Sequence, residues 1–224
     1  QIVGEYTASL EGYPLTMGAI AIDLTSLGPV ARAVDDLAAT LLDTLTTTRP
    51  YVAEAYTATQ KFDSNWDLEL APSDAYLDLY DFAHQLRHLV PPTQTQVLSA
   101  THALTRALSG AVVAEIHRDG HPWIAPTVTW VFSGAHGLSV YLPLGEDTWL
   151  RDYYRPTELA LAADTHWDEF IHDGWYAGQA PPALPPTATT WIREMAVPEP
   201  IDPALRPGLL SIQRFWAFLP GAFR

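Results

Sequence analysis

The sequence contains no cysteine, and Lys61 is its only lysine. The absence of cysteine excludes disulfide bonds, cysteine-ligated zinc and a cysteine nucleophile within these 224 residues. Basic residues number 12 against 26 acidic ones, so the formal net charge is −14. Phosphate binding requires clustered Lys and Arg side chains. We therefore predict no nucleic-acid partner for this chain.

Long apolar runs are also lacking. No run reaches the ~18–20 residues that a membrane-spanning helix needs, so we predict no membrane span. The first residues, QIVGE, do not form a signal peptide, which would need a basic segment followed by an apolar one. Hydrophobic residues nevertheless make up 48% of the sequence and charged residues only 17%, which indicates a folded chain.

Short apolar strands alternate with amphipathic helices over residues 1–176. The apolar run 18–24 predicts a buried strand, and the three- and four-residue spacing of apolar residues predicts a helix over 29–45. By the same criteria we predict helices over 51–62, 77–90 and 93–108, the last ended by Gly110, and strands over 111–116 and 137–143. This alternation favours an α/β fold with a sheet covered by helices. Because only three or four strands are visible, we predict that the sheet is incomplete and that another polypeptide supplies the missing strands.

The character of the chain changes after residue 176. Thr165 and Asp168 have the spacing of a capping box at the start of the last predicted helix. Beyond this helix, residues 177–224 are rich in proline and end in an apolar, aromatic segment over 209–224. We predict a folded unit at 1–176 and a proline-rich extension at 177–224, in extended conformation up to its apolar terminal segment.

Three groups of residues in the first part of the chain carry family-like motifs. The first is QIVGEY at 1–6 with PLT at 14–16 and AIAIDL at 19–24; the second is LDLYDFA at 77–83; the third is GAHGLSVYLP at 134–143 with LA at 159–160 and DTHWDEF at 164–170. In this order and spacing they resemble the clostripain family of cysteine peptidases. The second matches its D-L-x-D-F motif, and the third its G-L-S-I-Y-F-P strand and closing D-T-x-W-D-x-F helix.

This resemblance implies a caspase-like α/β sandwich and a His/Cys dyad that cleaves peptides after basic residues. The family's His and Cys both lie upstream of the segment matched by Gln1, so no catalytic residue is carried over to this chain. Family members mature by proteolysis into two chains that stay together. The resemblance therefore implies that Gln1 begins a processed or truncated chain, whose partners are the N-terminal part of the same peptidase and a peptide substrate. It favours a secreted or cell-surface location.

A second interpretation remains open. The chain is then a non-catalytic binding or scaffold module derived from the same fold. An enzyme with a serine nucleophile is not supported, because the segment 133–137 does not match G-x-S-x-G.

The acidic segment 63–69 is a candidate calcium loop. Its alternating oxygen-bearing residues are Asp63, Asn65, Asp67 and Glu69. Oxygen ligands at every second position can converge on Ca²⁺, and some members of the resembling family depend on calcium. The sixth position of the loop is Leu68, where a calcium loop has glycine to make its sharp turn. The alternative interpretation is a solvated acidic loop without metal.

Three histidines are candidate site residues. His117 and His121 are four residues apart, but the turn signal at Asp119 and Gly120 separates them, which favours an exposed loop over a metal pair. His136 precedes the predicted strand at 137–143. Its imidazole is a candidate to bond a loop carbonyl or to contact a substrate. Because the chain has no cysteine, we predict the structural role.

Overall fold

The computed structural model describes residues 17–63, 68, 70–71, 74–122, 127–144 and 160–176. These residues form a mixed α/β structure, which confirms the α/β class in general. In chain order its elements are β1 (Met17–Ile22), a 3₁₀ turn (Leu24–Ser26), α1 (Leu27–Ala58), β2 (Lys61–Phe62), β3 (Tyr76–Asp78), α2 (Leu79–Leu89), α3 (Thr95–Ala111), β4 (Val112–Arg118), β5 (Ser139–Tyr141), α4 (Ala160–Asp164), α5 (Trp167–Glu169) and a π-helix (Phe170–Trp175).

Helix α1 is one continuous element, although two helices were predicted there. Pro50 lies inside it, and the prediction of a separate helix at 51–62 is wrong. An interior proline usually costs about 3 kcal/mol because it removes a backbone hydrogen bond. The apolar stripe continues on both sides of Pro50, with Leu45 and Val52 both buried. Burial of this stripe against the core therefore outweighs the local cost of the proline.

Helices α1, α2 and α3 pack together around the main hydrophobic core. Fully buried leucines and aromatic side chains from all parts of the fold meet there: Leu37, Leu41, Tyr56, Leu77, Phe82, Leu86, Leu104, Leu108, Leu142, Trp167, Phe170 and Trp175. Helix α3 continues through Gly110 to Ala111, so the prediction that Gly110 ends it is wrong. The helix ends where Val112 takes up extended conformation and begins β4.

The described strands form two small antiparallel sheets. Strand β1 pairs with β4 from Met17 opposite Arg118 to Ile22 opposite Val112, and β3 lies between β2 and β5 in the second sheet. A strand is present where one was predicted at 18–24, but the prediction that it is buried is wrong. Ala19 alone is buried in this run, whereas Leu24 is 70% exposed and Val113 on β4 is 71% exposed. Among the described residues no third strand covers this pair.

The segment from α4 to the π-helix closes the second sheet. The indole N–H groups of Trp167 and Trp175 donate to the carbonyls of Tyr141 (2.8 Å) and Pro143 (2.9 Å), just at and after β5. The predicted capping box is wrong in detail. The Thr165 hydroxyl accepts from the Trp167 N–H at 3.3 Å, and the N-cap position belongs to His166.

Two predictions concern the rest of the chain. Within the described ranges, no helix combines the length and the apolar character that crossing a membrane would require. The proline-rich extension at 177–224 lies outside the described residues.

Candidate functional site

A polar cleft of about 930 Å³ lies between the end of α1, the start of α2 and the loop that precedes β5. Three segments that are distant in sequence meet there. The side chains that define its chemistry are Gln60, Lys61, Tyr80, Asp81, His84, Gln85, Trp130, Ser133 and His136.

Asp78 connects two of the segments that form the cleft. Its side chain is fully buried, and as the N-cap of α2 it accepts the backbone N–H of Asp81 at 2.9 Å. Its other oxygen accepts the backbone N–H of His136 at 2.7 Å. Two N–H donors offset part of the cost of burying this carboxylate. Asp78 therefore fixes the loop of His136 on the first turn of α2.

His136 lies on the rim of the cleft. Its ring stacks on Tyr80 with 4.5 Å between the ring centroids. The Nδ1 atom lies 2.8 Å from the Gly134 carbonyl and 3.6 Å from a carboxylate oxygen of Asp78. The side-chain interaction with Asp78 raises the pKa of His136, and partial burial opposes it. The contact with the Gly134 carbonyl is a loop contact of the predicted kind, and the Asp78 contact adds an Asp–His pair that the sequence did not indicate.

Gln60 and Asp81 form the opposite wall of the cleft. The backbone N–H of Gln60 donates to Asp81 at 2.8 Å, and the Gln60 side chain donates to the Val131 carbonyl and accepts from the Gly134 N–H. An added Cβ at Gly134 would lie 3.0 Å from both Gln60 and Asp81. Glycine at this position lets the loop approach α2 closely.

Lys61 lines the inner part of the cleft. Its ammonium group donates to the carbonyls of Tyr56 and Thr59 at the end of α1 and lies 4.0 Å from the centre of the Tyr56 ring. Burial lowers the pKa of Lys61 to about 8, and the charges of Asp81 and Asp74 oppose this shift. A cation beside the last carbonyls of a helix also interacts favourably with the helix dipole. Lys61 is thus an amine whose pKa lies well below that of an exposed lysine.

Of the predicted calcium ligands, Asp63 is the one in the described residues; Asn65, Asp67 and Glu69 lie outside them. A carboxylate oxygen of Asp63 accepts the backbone N–H of Leu68 at 3.2 Å. Leu68 has a φ of 69°. Leu68 thus adopts the left-handed conformation that a calcium loop assigns to glycine, while the turn itself lies outside the described residues. Among the described residues there is no group of three side chains that could hold a metal ion.

The remaining predicted histidines lie apart from the cleft. His117 on β4 has its Nδ1 atom 3.0 Å from Glu115, and His121 faces the carbonyl of Pro122 at 3.1 Å. The two side chains have separate partners. The prediction of an exposed loop is wrong for His117, because it lies within β4 and is half-buried.

The cleft can position and polarise a ligand, but its described residues do not form a nucleophilic centre. No hydroxyl group is hydrogen-bonded to His136 in the described part of the chain, and the sequence has no thiol. An Asp–His pair acts in covalent catalysis only when it activates a nucleophile. The chemistry available here is binding through Tyr80 and Gln85, and proton transfer at His136 or Lys61.

Comparison of this chain with protein-family models, curated proteins and solved structures finds no match.

Sequence reasoning missed most of the residues that define the cleft. The spacing of Asp78 and Asp81 is an N-cap signal followed by an acidic first turn, and it could have located the start of α2. The presence of a single lysine, Lys61, is a second signal that could have pointed to the cleft. The contacts of Gln60 join segments more than 70 residues apart, and no local pattern predicts them.

Proposed function

We propose that this chain is the C-terminal chain or segment of a clostripain-like cysteine endopeptidase. In this proposal it completes the substrate cleft, while the His/Cys dyad lies in a separate N-terminal part. The chain by itself does not cleave peptides. The peptide substrate is one with a basic residue before the cleaved bond, as the resemblance implies.

The observation that carries the proposal is the convergence of the three family-like motifs. Asp78 of the second bonds His136 of the third. Trp167 of the closing helix donates to Tyr141 of the same motif, and its ring packs edge-on against Phe82. An added Cβ at Gly137 would lie 2.3 Å from Ile20 of the first. Residues that share a site in a family are expected to meet in space, and these do.

The exposure of the β1–β4 pair supports a missing partner. A two-stranded sheet is marginally stable by itself. The apolar run of β1 and the exposed Val113 of β4 have the composition of strands inside a larger sheet. We propose that the N-terminal part adds strands here and thereby builds a caspase-like sheet.

A second candidate is the non-catalytic binding or scaffold module. The observation that favours it is the closed main core, in which Trp167, Trp175 and Phe82 are buried without any second polypeptide. Such a core allows the chain to fold by itself. A monomer that gains no activity with any thiol-bearing N-terminal part would support this alternative.

The test is reconstitution. The chain would be co-expressed with the polypeptide encoded directly upstream, and the purified material would be assayed on fluorogenic peptides ending in Arg, Lys or Glu. We expect activity on the Arg and Lys peptides that iodoacetamide abolishes, and none from the chain alone. Reconstituted material that forms a complex but shows no thiol-dependent cleavage would overturn the proposal.

A further inference from the structure

A second groove lies between α2 and α3, and its charge is opposite to that of the protein. It has a volume of about 430 Å³, and its polar lining consists of Tyr80, Arg87, His102, Thr105, Arg106 and Ser109. The segment from residue 82 to residue 114 has no Asp or Glu, although the chain has a net charge of −14. The groove is therefore a basic surface on an acidic molecule.

Helical spacing brings these groups to one place. Tyr80 and Arg87 are two turns apart on α2, and His102 and Arg106 are one turn apart on α3. The guanidinium of Arg87 lies 3.5 Å from the Nδ1 atom of His102, so the two helices contact each other through their basic side chains. Side chains of both helices therefore line the same groove.

In the described part of the chain, the arginines of the groove have no acidic partner. Among the described residues, neither Arg87 nor Arg106 forms an ion pair with a carboxylate, and Arg106 makes no hydrogen bond either. The Tyr80 hydroxyl is likewise without a hydrogen bond in this part of the chain. In contrast, the hydroxyls of Thr105 and Ser109 donate to helix carbonyls. Arg106 and Tyr80 thus offer free donors, and Arg87 offers the guanidinium N–H groups that do not face His102.

We propose that this groove binds a small oxyanion, with Arg87 and Arg106 as its principal ligands. Guanidinium groups bind phosphate and carboxylate oxygens in pairs of parallel hydrogen bonds. A bound anion would also supply a countercharge to the guanidinium groups of Arg87 and Arg106, which have no carboxylate partner among the described residues. Phosphate is the favoured class, because its oxygens can be shared between two guanidinium groups and a phenol. This inference does not depend on the peptidase proposal.

The experiment is a titration of the full chain with inorganic phosphate at constant ionic strength, followed through the imidazole NMR signals. A His102→Gln variant assigns the reporting signal, and succinate replaces phosphate in a parallel titration to test a carboxylate ligand. We expect a saturable shift of the His102 signal with phosphate and a weaker one with succinate. Arg87→Gln and Arg106→Gln should each weaken phosphate binding about tenfold, as expected for loss of a charge-assisted hydrogen bond.

Arg32→Gln is the matched control, because Arg32 is an exposed arginine on α1 outside the groove. It should leave phosphate affinity unchanged. Thermal unfolding of each variant would verify that it remains folded. The proposal is overturned if chloride produces the same shift as phosphate, if succinate binds more tightly, or if Arg32→Gln weakens binding as much as Arg106→Gln.

Discussion

The buried carboxylate of Asp78 and the backbone N–H of His136 form a 2.7 Å hydrogen bond between two segments separated by 58 residues. The same carboxylate caps α2 through the N–H of Asp81. One side chain therefore determines where a helix begins and where the loop on the rim of the cleft lies.

Removal of this carboxylate should destabilise the fold. Asp78→Ala would leave two N–H donors without acceptors, and we expect it to lower the free energy of unfolding by about 2–4 kcal/mol. Asp23→Ala is a matched control, since Asp23 also caps a helical turn but is partly exposed. It should cost about 1 kcal/mol or less. Urea unfolding measures both, and equal losses would contradict the role given to Asp78.

The stabilisation by His136 should depend on pH. Because the interaction with Asp78 raises the pKa of His136, the folded chain holds this proton more tightly than the unfolded chain does. The extra stability is then fully present below the unfolded pKa of about 6.5 and is lost as pH rises through the folded value. We expect the stability difference between the wild type and His136→Gln to be largest at acidic pH.

The Asp78→Asn background provides the control for this pH series. There the largest cause of the raised pKa is absent, and the effect of His136→Gln should vary less with pH, with only the Gly134 carbonyl and the Asp81 charge still raising the pKa of His136. Urea unfolding at several pH values supplies the data. A difference that grows with pH would contradict the pairing of His136 with Asp78.

Lys61 should titrate far below an ordinary lysine. Its pKa in the folded chain is about 8, against 10.5 for a free side chain, because burial disfavours the ammonium form. Competitive amine labelling followed by peptide mapping isolates this residue, since Lys61 is the only lysine. We expect a labelling midpoint near the folded value in buffer and near the free value in concentrated urea. Identical midpoints in both conditions would show that Lys61 is not desolvated.

Gly137 should tolerate no side chain. It has a φ of 114°, and an added Cβ would lie 2.3 Å from the Cδ1 atom of Ile20. We expect Gly137→Ala to cost about 2–4 kcal/mol from backbone strain and steric overlap together. Adding Ile20→Val removes the Cδ1 atom and should recover part of this loss.

Gly110→Ala is the control for Gly137→Ala. Gly110 lies inside α3 with no atom near the position of an added Cβ. This substitution should stabilise the chain by about 0.5–1 kcal/mol, since alanine favours the helix. If Ile20→Val recovers nothing in the Gly137→Ala background, the contact between β1 and the loop before β5 is not as described.

The calcium interpretation of Asp63, Asn65, Asp67 and Glu69 makes a separate prediction. If the loop binds Ca²⁺, calcium chloride should raise the melting temperature, chelation should reverse the effect, and Asp63→Asn should abolish it. A solvated acidic loop would instead respond equally to calcium chloride and to sodium chloride of the same ionic strength. Differential scanning calorimetry distinguishes the two interpretations.

The sequence predicted the elements whose signal is local. Helix α2 ends before Pro91 as expected, and the apolar spacing located α3 and most of α1. The continuity of α1 through Pro50 could not be predicted, because the buried residues on both sides stabilise the helix only in the folded core. The same holds for β1, whose apolar sequence predicts burial that the described residues do not provide.

The cleft was less predictable than the fold. The neighbouring glycines indicate that His136 lies in a loop, but its partner Asp78 is 58 residues away in sequence. Lys61 has an ordinary local context, and its lowered pKa comes from burial beneath Tyr56 and Thr59. Such properties arise only when distant segments fold together.

The central claim is that this chain functions with a separate part that bears a His and a Cys. Mass spectrometry under denaturing conditions, on the protein isolated from its native source, tests it most directly. We expect either a second, associated polypeptide that contains both residues or a longer chain that includes them upstream of Gln1. A single species of 24.7 kDa with no thiol-containing partner would contradict it and would favour the binding module.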